Sequence, residues 1–449
     1  MLDALRQRRA DSVVTATDAH WDEARQAFNL AIDQRPEAVV FPQDADDVVA
    51  TIEQARREGL RIAPQRTGHA AGALDALAGA VLLRTDAMKG VEVDRDARRV
   101  RVNAGAQWGD VTAVTSPAGL TPLLGSSPNV GVVGYSLGGG ASFIGRKHGL
   151  AANSVKAIEL VTADGRQLRV DAENEPDLFW ALRGGGGGLG VVTALEFEAF
   201  DEPKIYAGAA LFPIERAGEV LHAWRGITET APDELTTLGR LLRVPDVEGP
   251  PPLRGRAFAL VEVIYLGDEA DGAELIAPLL DLGPELQTLA MVEPAALQAL
   301  HMDPPEPVPA RTHHVLASEL PASAIDDVLE VAGPGTDCML VSVELRQTGG
   351  ALGRPAPDGG ALASLPGSFY LFAVGALMDP SLAPTIGEQL EQVGGCLKPY
   401  EAGRYFNFSE RLEPGSAFFD GDTLGRLQAI KAEWDPDGLF QCPHPVGAG

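Results

Sequence analysis

The chain has 449 residues, 36 basic and 63 acidic, for a formal net charge of −27. That excess of negative charge excludes nucleic-acid backbone and anionic membrane as expected partners. The length exceeds what one hydrophobic core usually serves, and 45% apolar with 22% charged residues is ordinary for a soluble globular protein, so two or three domains are expected. The start, MLDALRQRRADSVV, is too polar for a signal peptide, and no run of about 18 apolar residues is present to span a bilayer. Cys338, Cys396 and Cys442 are scattered and make no CxxC pair, so a reducing cytoplasm is expected.

In chain order, residues 36–64 read as strand, helix, strand. Val39, Val40 and Phe41 are a short apolar run, Asp44 can cap a helix with Val48, Val49, Ile52 and Ala55 on one face, and Leu60 to Ala63 returns as a strand. That strand delivers Gln65-Arg66-Thr67-Gly68-His69-Ala70, a loop with a histidine straight after a glycine. Val81 to Leu83 is a buried-strand candidate, and Val91 and Val93 alternate against Val100 and Val102 as a hairpin. Trp108, Val111 and Val114 suit a short helix. A glycine-dense stretch, 125–140, follows, then a second hairpin turn at Ala163-Asp164-Gly165-Arg166, a helix over 177–183, five glycines (184–188) and the strand 191–197. Beyond about residue 203, strand-like alternation (205–265, 335–378) and helical spacing (215–230, 322–332) mix, separated by proline clusters at 249–252, 304–309 and 355–357. A helix over 423–434 ends the pattern.

Several short motifs fail on context. Gly185, Gly187 and Gly190 match GxGxxG, but the helix precedes and the strand follows, the reverse of a dinucleotide fingerprint. Gly140 to Lys147 lacks the Gly-Lys-Ser/Thr ending of a P-loop. Gly134-Tyr135-Ser136-Leu137-Gly138 matches the GxSxG of a hydrolase. Glycines 138–140 would each cost the helix required there about 1 kcal/mol. No paired Cys/His spacing or HExxH exists, so no metal site is expected. His148, His313 and His314 read as solvated or hydrogen-bonded.

The motifs instead combine into a resemblance. Arg66-Thr67-Gly68-His69, the run 130–140, Arg146-Lys147-His148-Gly149-Leu150, Asp177 to Arg183 with its glycines, Tyr405-Phe406-Asn407 and Asp435-Pro436-Asp437-Gly438-Leu439-Phe440 occur in one order. In that order the chain resembles berberine-bridge-enzyme-like FAD-linked oxidases of the vanillyl-alcohol-oxidase superfamily. The resemblance implies an α+β, two-domain PCMH-type FAD-binding fold. Residues 1–203 would form the FAD-binding domain, 204–399 a substrate domain (an antiparallel sheet covered by helices), and 400–449 a segment returning to the first domain.

It further implies that Gln65, Arg66, Thr67, Gly68 and Ala70 surround the FAD pyrophosphate and that His69 bonds covalently to the flavin. Ser127, Gly131, Gly134, Tyr135, Gly138, Gly139 and Gly140 would line the cofactor, with Gly149, Val191 and Val192 near its adenosine half. Many relatives carry cysteine where this chain has Ser127, so a single covalent attachment is expected. A substrate hydride would pass to the flavin while Tyr405 takes a proton and Asn407 orients it. Because a phenol ordinarily holds its proton to about pH 10, a neighbouring cation or second phenol is needed. Tyr370, Arg346 and Glu344 are the candidates, read otherwise as a core tyrosine and a surface ion pair.

The implied function is oxidation of an alcohol, sugar or secondary metabolite, with O2 reduced to H2O2, in a bacterial monomer or homodimer. A dehydrogenase, oxygenase or cyclase on the same scaffold is the alternative, followed by a non-catalytic binding protein and the GxSxG hydrolase.

Overall fold

Asp44 starts the first helix as its side chain dictates: the carboxylate accepts from the Asp47 N–H, and Gly59 at φ 68° ends the helix Ala45–Glu58. In the computed structural model, which describes residues 3–74, 76–246 and 252–447, this helix links two strands of a four-stranded sheet. Most of the proline cluster at 249–252 lies outside the described residues. The strands are β1 (Val13–Val14), β2 (Ala38–Val40), β3 (Arg61–Gln65) and β4 (Ala80–Arg84), ordered β1-β2-β4-β3. β4 runs parallel to both β2 and β3. Burial of both faces explains why Val81, Leu82 and Leu83 are apolar without alternation.

A second, antiparallel sheet contains β5 (Val91–Asp94), β6 (Arg99–Asn103), β7 (Val155–Val161), β8 (Gln167–Asp171) and β9 (Val191–Glu198). Val91 pairs with Val102 and Val93 with Val100, the register their alternation predicts. Gly165, at φ 84°, supplies the left-handed residue of the β7–β8 turn.

The middle of the chain builds a nine-stranded sheet. Its strands are β10 (Ile205–Pro213), β11 (Leu235–Arg243), β12 (Ala257–Tyr265), β13 (Leu286–Gln287), β14 (Ala290–Val292), β15 (Ala310–Ala317), β16 (Ser342–Gln347), β17 (Phe369–Ala376) and β18 (Glu401–Gly403). The order is β13-β10-β12-β11-β16-β17-β15-β18, with β14 also on β10. The helices Ala217–Thr228, Ala322–Ala332 and Ala383–Leu397 cover one face, where Trp224, Ile325 and Leu390 pack on Val261, Leu345 and Leu371. Alternation sends a different set to the other face. In register across β15, β17, β16, β11 and β12 lie Leu316, Tyr370, Arg346, Leu238 and Glu262. The next row is His314, Phe372, Glu344, Arg240 and Leu260.

After the helix Gly421–Trp434 the chain returns to the first sheet: the Ile62 N–H donates to the Leu439 carbonyl and the Gln441 N–H to that of Ile62. The buried Asp435 carboxylate fixes this return. It accepts from the N–H groups of Leu439 (2.8 Å) and Phe440 (3.0 Å) and pairs with Lys431. No helix among the described residues is long and apolar enough to cross a membrane. Because removing one partner of a buried ion pair strands the other, Asp435→Ala is expected to cost about 3 kcal/mol in chemical denaturation. A loss under about 1 kcal/mol would contradict this account of the C-terminal return.

Candidate active site

β3 feeds the loop 65–70. The Gln65 side chain is locked to that of Gln34 by reciprocal amide hydrogen bonds, and Arg66 turns away to the Gly105 carbonyl (2.7 Å) and Asp86 (2.9 Å). Gly68 sits at φ 78° with Ala27 2.9 Å from where a Cβ would stand, so only glycine fits. The His69 ring stacks on Phe28 with centroids 4.0 Å apart, and its Nδ1 lies 2.7 Å from Thr67 Oγ1. Burial lowers its pKa to about 4, against an opposite pull from Asp303, so the ring is neutral and nucleophilic near pH 7. The N–H groups of Thr67, Gly68, His69 and Ala70 donate to no acceptor among the described residues.

The second glycine loop lies against the first: a Cβ on Gly131 would stand 3.1 Å from Arg66 Cγ and 4.0 Å from Thr67 Oγ1. Here too the N–H groups of Ser126, Ser127 and Asn129 donate to no acceptor among the described residues. The Ser127 hydroxyl donates to Asn129 Oδ1 (2.6 Å), that of Ser126 to Asp303 (3.0 Å), and the Asn129 amide to the Pro304 and Pro305 carbonyls.

The helix Val132–Leu137 runs from this loop into Gly138, Gly139 and Gly140, and there it meets the C-terminal segment. The Tyr405 phenol oxygen accepts from the Ala141 N–H (2.8 Å) and the Asn407 amide (3.0 Å). Asn407 also donates to the Tyr135 carbonyl, and the Tyr405 N–H donates to His314 Nε2 (2.9 Å). Side chains at Gly138 and Gly140 would collide with this arrangement, and one at Gly139 with Leu362. A Cβ at Gly138 overlaps Asn407 Oδ1, one at Gly139 comes within 3.4 Å of the Tyr405 ring, and one at Gly140 presses on the Tyr135 ring.

Tyr370 and Tyr405 are each 1% exposed, with the Phe408 ring edge-on to both. The hydroxyls of Tyr370 and Tyr135 are buried and unpartnered among the described residues. The Arg346 guanidinium lies 5.1 Å from the Tyr370 ring centroid and 4.9 Å from that of Phe143. Burial pushes the Tyr405 phenol up to about 12, while the donors Ala141, Asn407 and Gly140 and the charge of Arg346 pull it down. Burial likewise pushes Tyr370 and Tyr135 well above the usual phenol value, with Arg346 opposing it.

Two adjacent loops of free N–H donors suit a diphosphate, and unpartnered phenols beside a glycine-lined wall suit a planar, acceptor-rich ring. An FAD binding domain matches residues 36–171, and the berberine and berberine-like domain matches 404–447. The chain therefore carries an FAD binding domain followed by a berberine-like C-terminal segment. It is 28% identical over 450 residues to the FAD-linked oxidoreductase YvdP of Bacillus subtilis (strain 168), covering 97% of each protein. It is 25% identical over 460 residues to a chitooligosaccharide oxidase of Gibberella zeae, covering 95% of this chain and 90% of that one. Physcomitrella patens BBE-like 1 shares the fold, with a TM-score of 0.86 at 20% identity over the whole of both chains. FAD is the cofactor, and the protein is an FAD-linked oxidoreductase.

The rest of the predicted set is dispersed in this berberine-bridge-like fold. Gly134 lies on the helix with nothing within 4 Å of a Cβ, and a Cβ on Gly149, at φ 86°, would stand 3.8 Å from the Ala351 carbonyl oxygen. Val191 packs with Val81 and Phe440, and Val192 lies in the core of the second sheet. Ser136 is buried in the last turn of a helix rather than at a strand-to-helix corner, so the hydrolase elbow is absent. Arg346 and Glu344 form a buried pair (2.6 Å), so Arg346 is not the surface ion-pair partner it could have been.

Sequence reasoning passed over Arg240, Glu262 and His301 and left His314 unassigned. A charge inside the apolar runs Leu238–Leu242 and Phe258–Ile264 was the available signal. Gly138→Ala should displace Asn407 from Tyr405, cost about 1–3 kcal/mol of stability as overpacking does, and lower turnover at least tenfold. Wild-type activity in that variant would contradict the close approach.

Proposed function

We propose that the protein oxidises a small hydroxyl-bearing organic molecule, an alcohol, sugar or secondary metabolite, with FAD bonded to His69. Segments 1–203 and 400–449 would hold the cofactor, and 204–399 would roof the site. The reading rests on one observation above the others. Tyr405 presents a buried oxygen that two N–H donors already face, next to the free Tyr370 hydroxyl and the Arg346 charge. Donors aimed at an oxygen favour its anionic form. Full-length likeness to a chitooligosaccharide oxidase supports a hydroxyl-bearing substrate.

In this reading the Thr67–Ala70 and Ser126–Asn129 N–H groups hold the diphosphate, and neutral His69 offers a ring nitrogen for attachment. Bound FAD supplies the hydride acceptor and returns the electrons to O2, yielding H2O2. Tyr405 takes the proton of the substrate hydroxyl at its phenol oxygen, Asn407 and the Ala141 N–H hold that oxygen in place, and Tyr370 shares the negative charge through its own hydroxyl. Burial by Phe408 and Leu316 keeps water from the phenols.

The test is rapid-mixing reduction of the flavin by a panel of sugars and alcohols. Tyr405→Phe should retain flavin yet slow reduction by about 10²–10⁴, the usual range for losing a general base. An unchanged rate would remove Tyr405 from this role.

A further inference from the structure

Behind Arg346, on the same face of the nine-stranded sheet, lies a buried charged cluster that the reading above does not use. The His301 ring stands between two carboxylates from different strands. Its Nδ1 is 3.0 Å from both Glu262 oxygens, and its Nε2 is 3.2 Å from Glu344 Oε2. The other oxygen of Glu344 receives Arg346 Nε at 2.6 Å. Glu262 also receives Arg240 Nη1 (3.2 Å), which donates in turn to the His301 carbonyl (2.7 Å), while Arg240 Nε donates to Ser342. From its own segment, Asp303 lies 4.0 Å from the ring. Arg240 Nη1 approaches Nδ1 to 3.3 Å, and the Phe143 ring packs at 6.4 Å.

A neutral imidazole has one N–H and one lone pair, so it satisfies one of these carboxylates and turns a lone pair on the other. Only the doubly protonated ring donates to both. The charges agree: with an imidazolium, three cations (Arg240, Arg346, His301) meet three carboxylates (Glu262, Glu344, Asp303). With a neutral ring the cluster is left negative at the phenols' backs. Burial and Arg240 push the ring toward its neutral form, but Glu262, Asp303 and Glu344 outweigh them and raise its pKa to about 9.

We propose that His301 is a positioning residue, an imidazolium bridging Glu262 and Glu344 that occupies one side of Glu344 and so leaves the charge of Arg346 directed at Tyr370 and Tyr405. The phenols then release a proton more readily than burial alone would allow. The coupling to proton transfer rests on the proposed role of Tyr405; the bridge itself does not.

Two measurements on the FAD-loaded protein test it. Histidine NMR with 15N labelling should show one imidazolium persisting to about pH 9, whose signal vanishes in His301→Gln. A His301 ring neutral at pH 7 overturns the bridge whatever the variants do. In the pH profile of flavin reduction, a phenol base gives a rate that rises with pH to a plateau. Removing a cation raises the phenol pKa, so His301→Gln should move the acid limb up by about one unit. That is a tenfold loss below the limb with the plateau retained.

A variant that lowers the plateau without moving the limb would mark a merely structural role and overturn the coupling. If Tyr405→Phe abolishes reduction while the limb stays fixed, the coupling fails and the base assignment stands. If Tyr405→Phe reduces normally, the base assignment fails and takes the coupling with it, and the imidazolium signal alone decides the bridge.

Discussion

A phenol enclosed by apolar side chains holds its proton tightly, and the arrangement around Tyr405 answers that constraint. Its oxygen sits where the chain leaves the helix Val132–Leu137 through three glycines, so that the Ala141 N–H and the Asn407 amide both reach it. Asn407 is tied to the Tyr135 carbonyl and the Tyr405 backbone to His314, which joins the C-terminal segment to the glycine helix on one side and to β15 on the other. Displacing any of these would leave a buried polar atom without a partner, at a cost of about 1–3 kcal/mol. The need for close backbone approach at Gly138–Gly140 and the need for donors at Tyr405 are the same requirement.

The nine-stranded sheet separates two jobs by the pleat. One face is apolar and takes three helices, while the other carries Tyr370, Arg346, Glu344, Arg240 and Glu262 in two adjacent rows. Charges so placed cannot be solvated and must balance one another. The strap 301–308 supplies the remaining members, His301 and Asp303, and its Asp303 and proline carbonyls also receive Ser126 and Asn129. Through that strap the charged face and the second glycine loop are held to each other.

Local chemistry explains what was legible beforehand. The Asp44 cap, the Val91/Val102 register, the turn at Gly165 and the helix over 423–434 each follow from a few neighbouring residues, and each is present. The glycine loops were readable because glycine is costly unless backbone must approach something. Pairings across distant strands were not. Arg346 and Glu344 share a face by alternation, but nothing in their own stretch says that His301, some 40 residues upstream in a proline-rich loop, stands beside them. His314 read only as a solvated or hydrogen-bonded histidine, because its partner, the Tyr405 N–H, is ninety-one residues away. The helix Ala383–Leu397 went unmarked, its three glycines diluting the apolar spacing.

The most direct test of the account is an absorbance spectrum of the purified protein before and after acid precipitation, in wild type and His69→Ala. The account predicts a yellow protein whose flavin stays with the pellet, and loss of that retention in the variant. Flavin released to the supernatant by the wild type would contradict attachment at His69. A protein that stays colourless after incubation with FAD would contradict the assignment of the two glycine loops as its cradle.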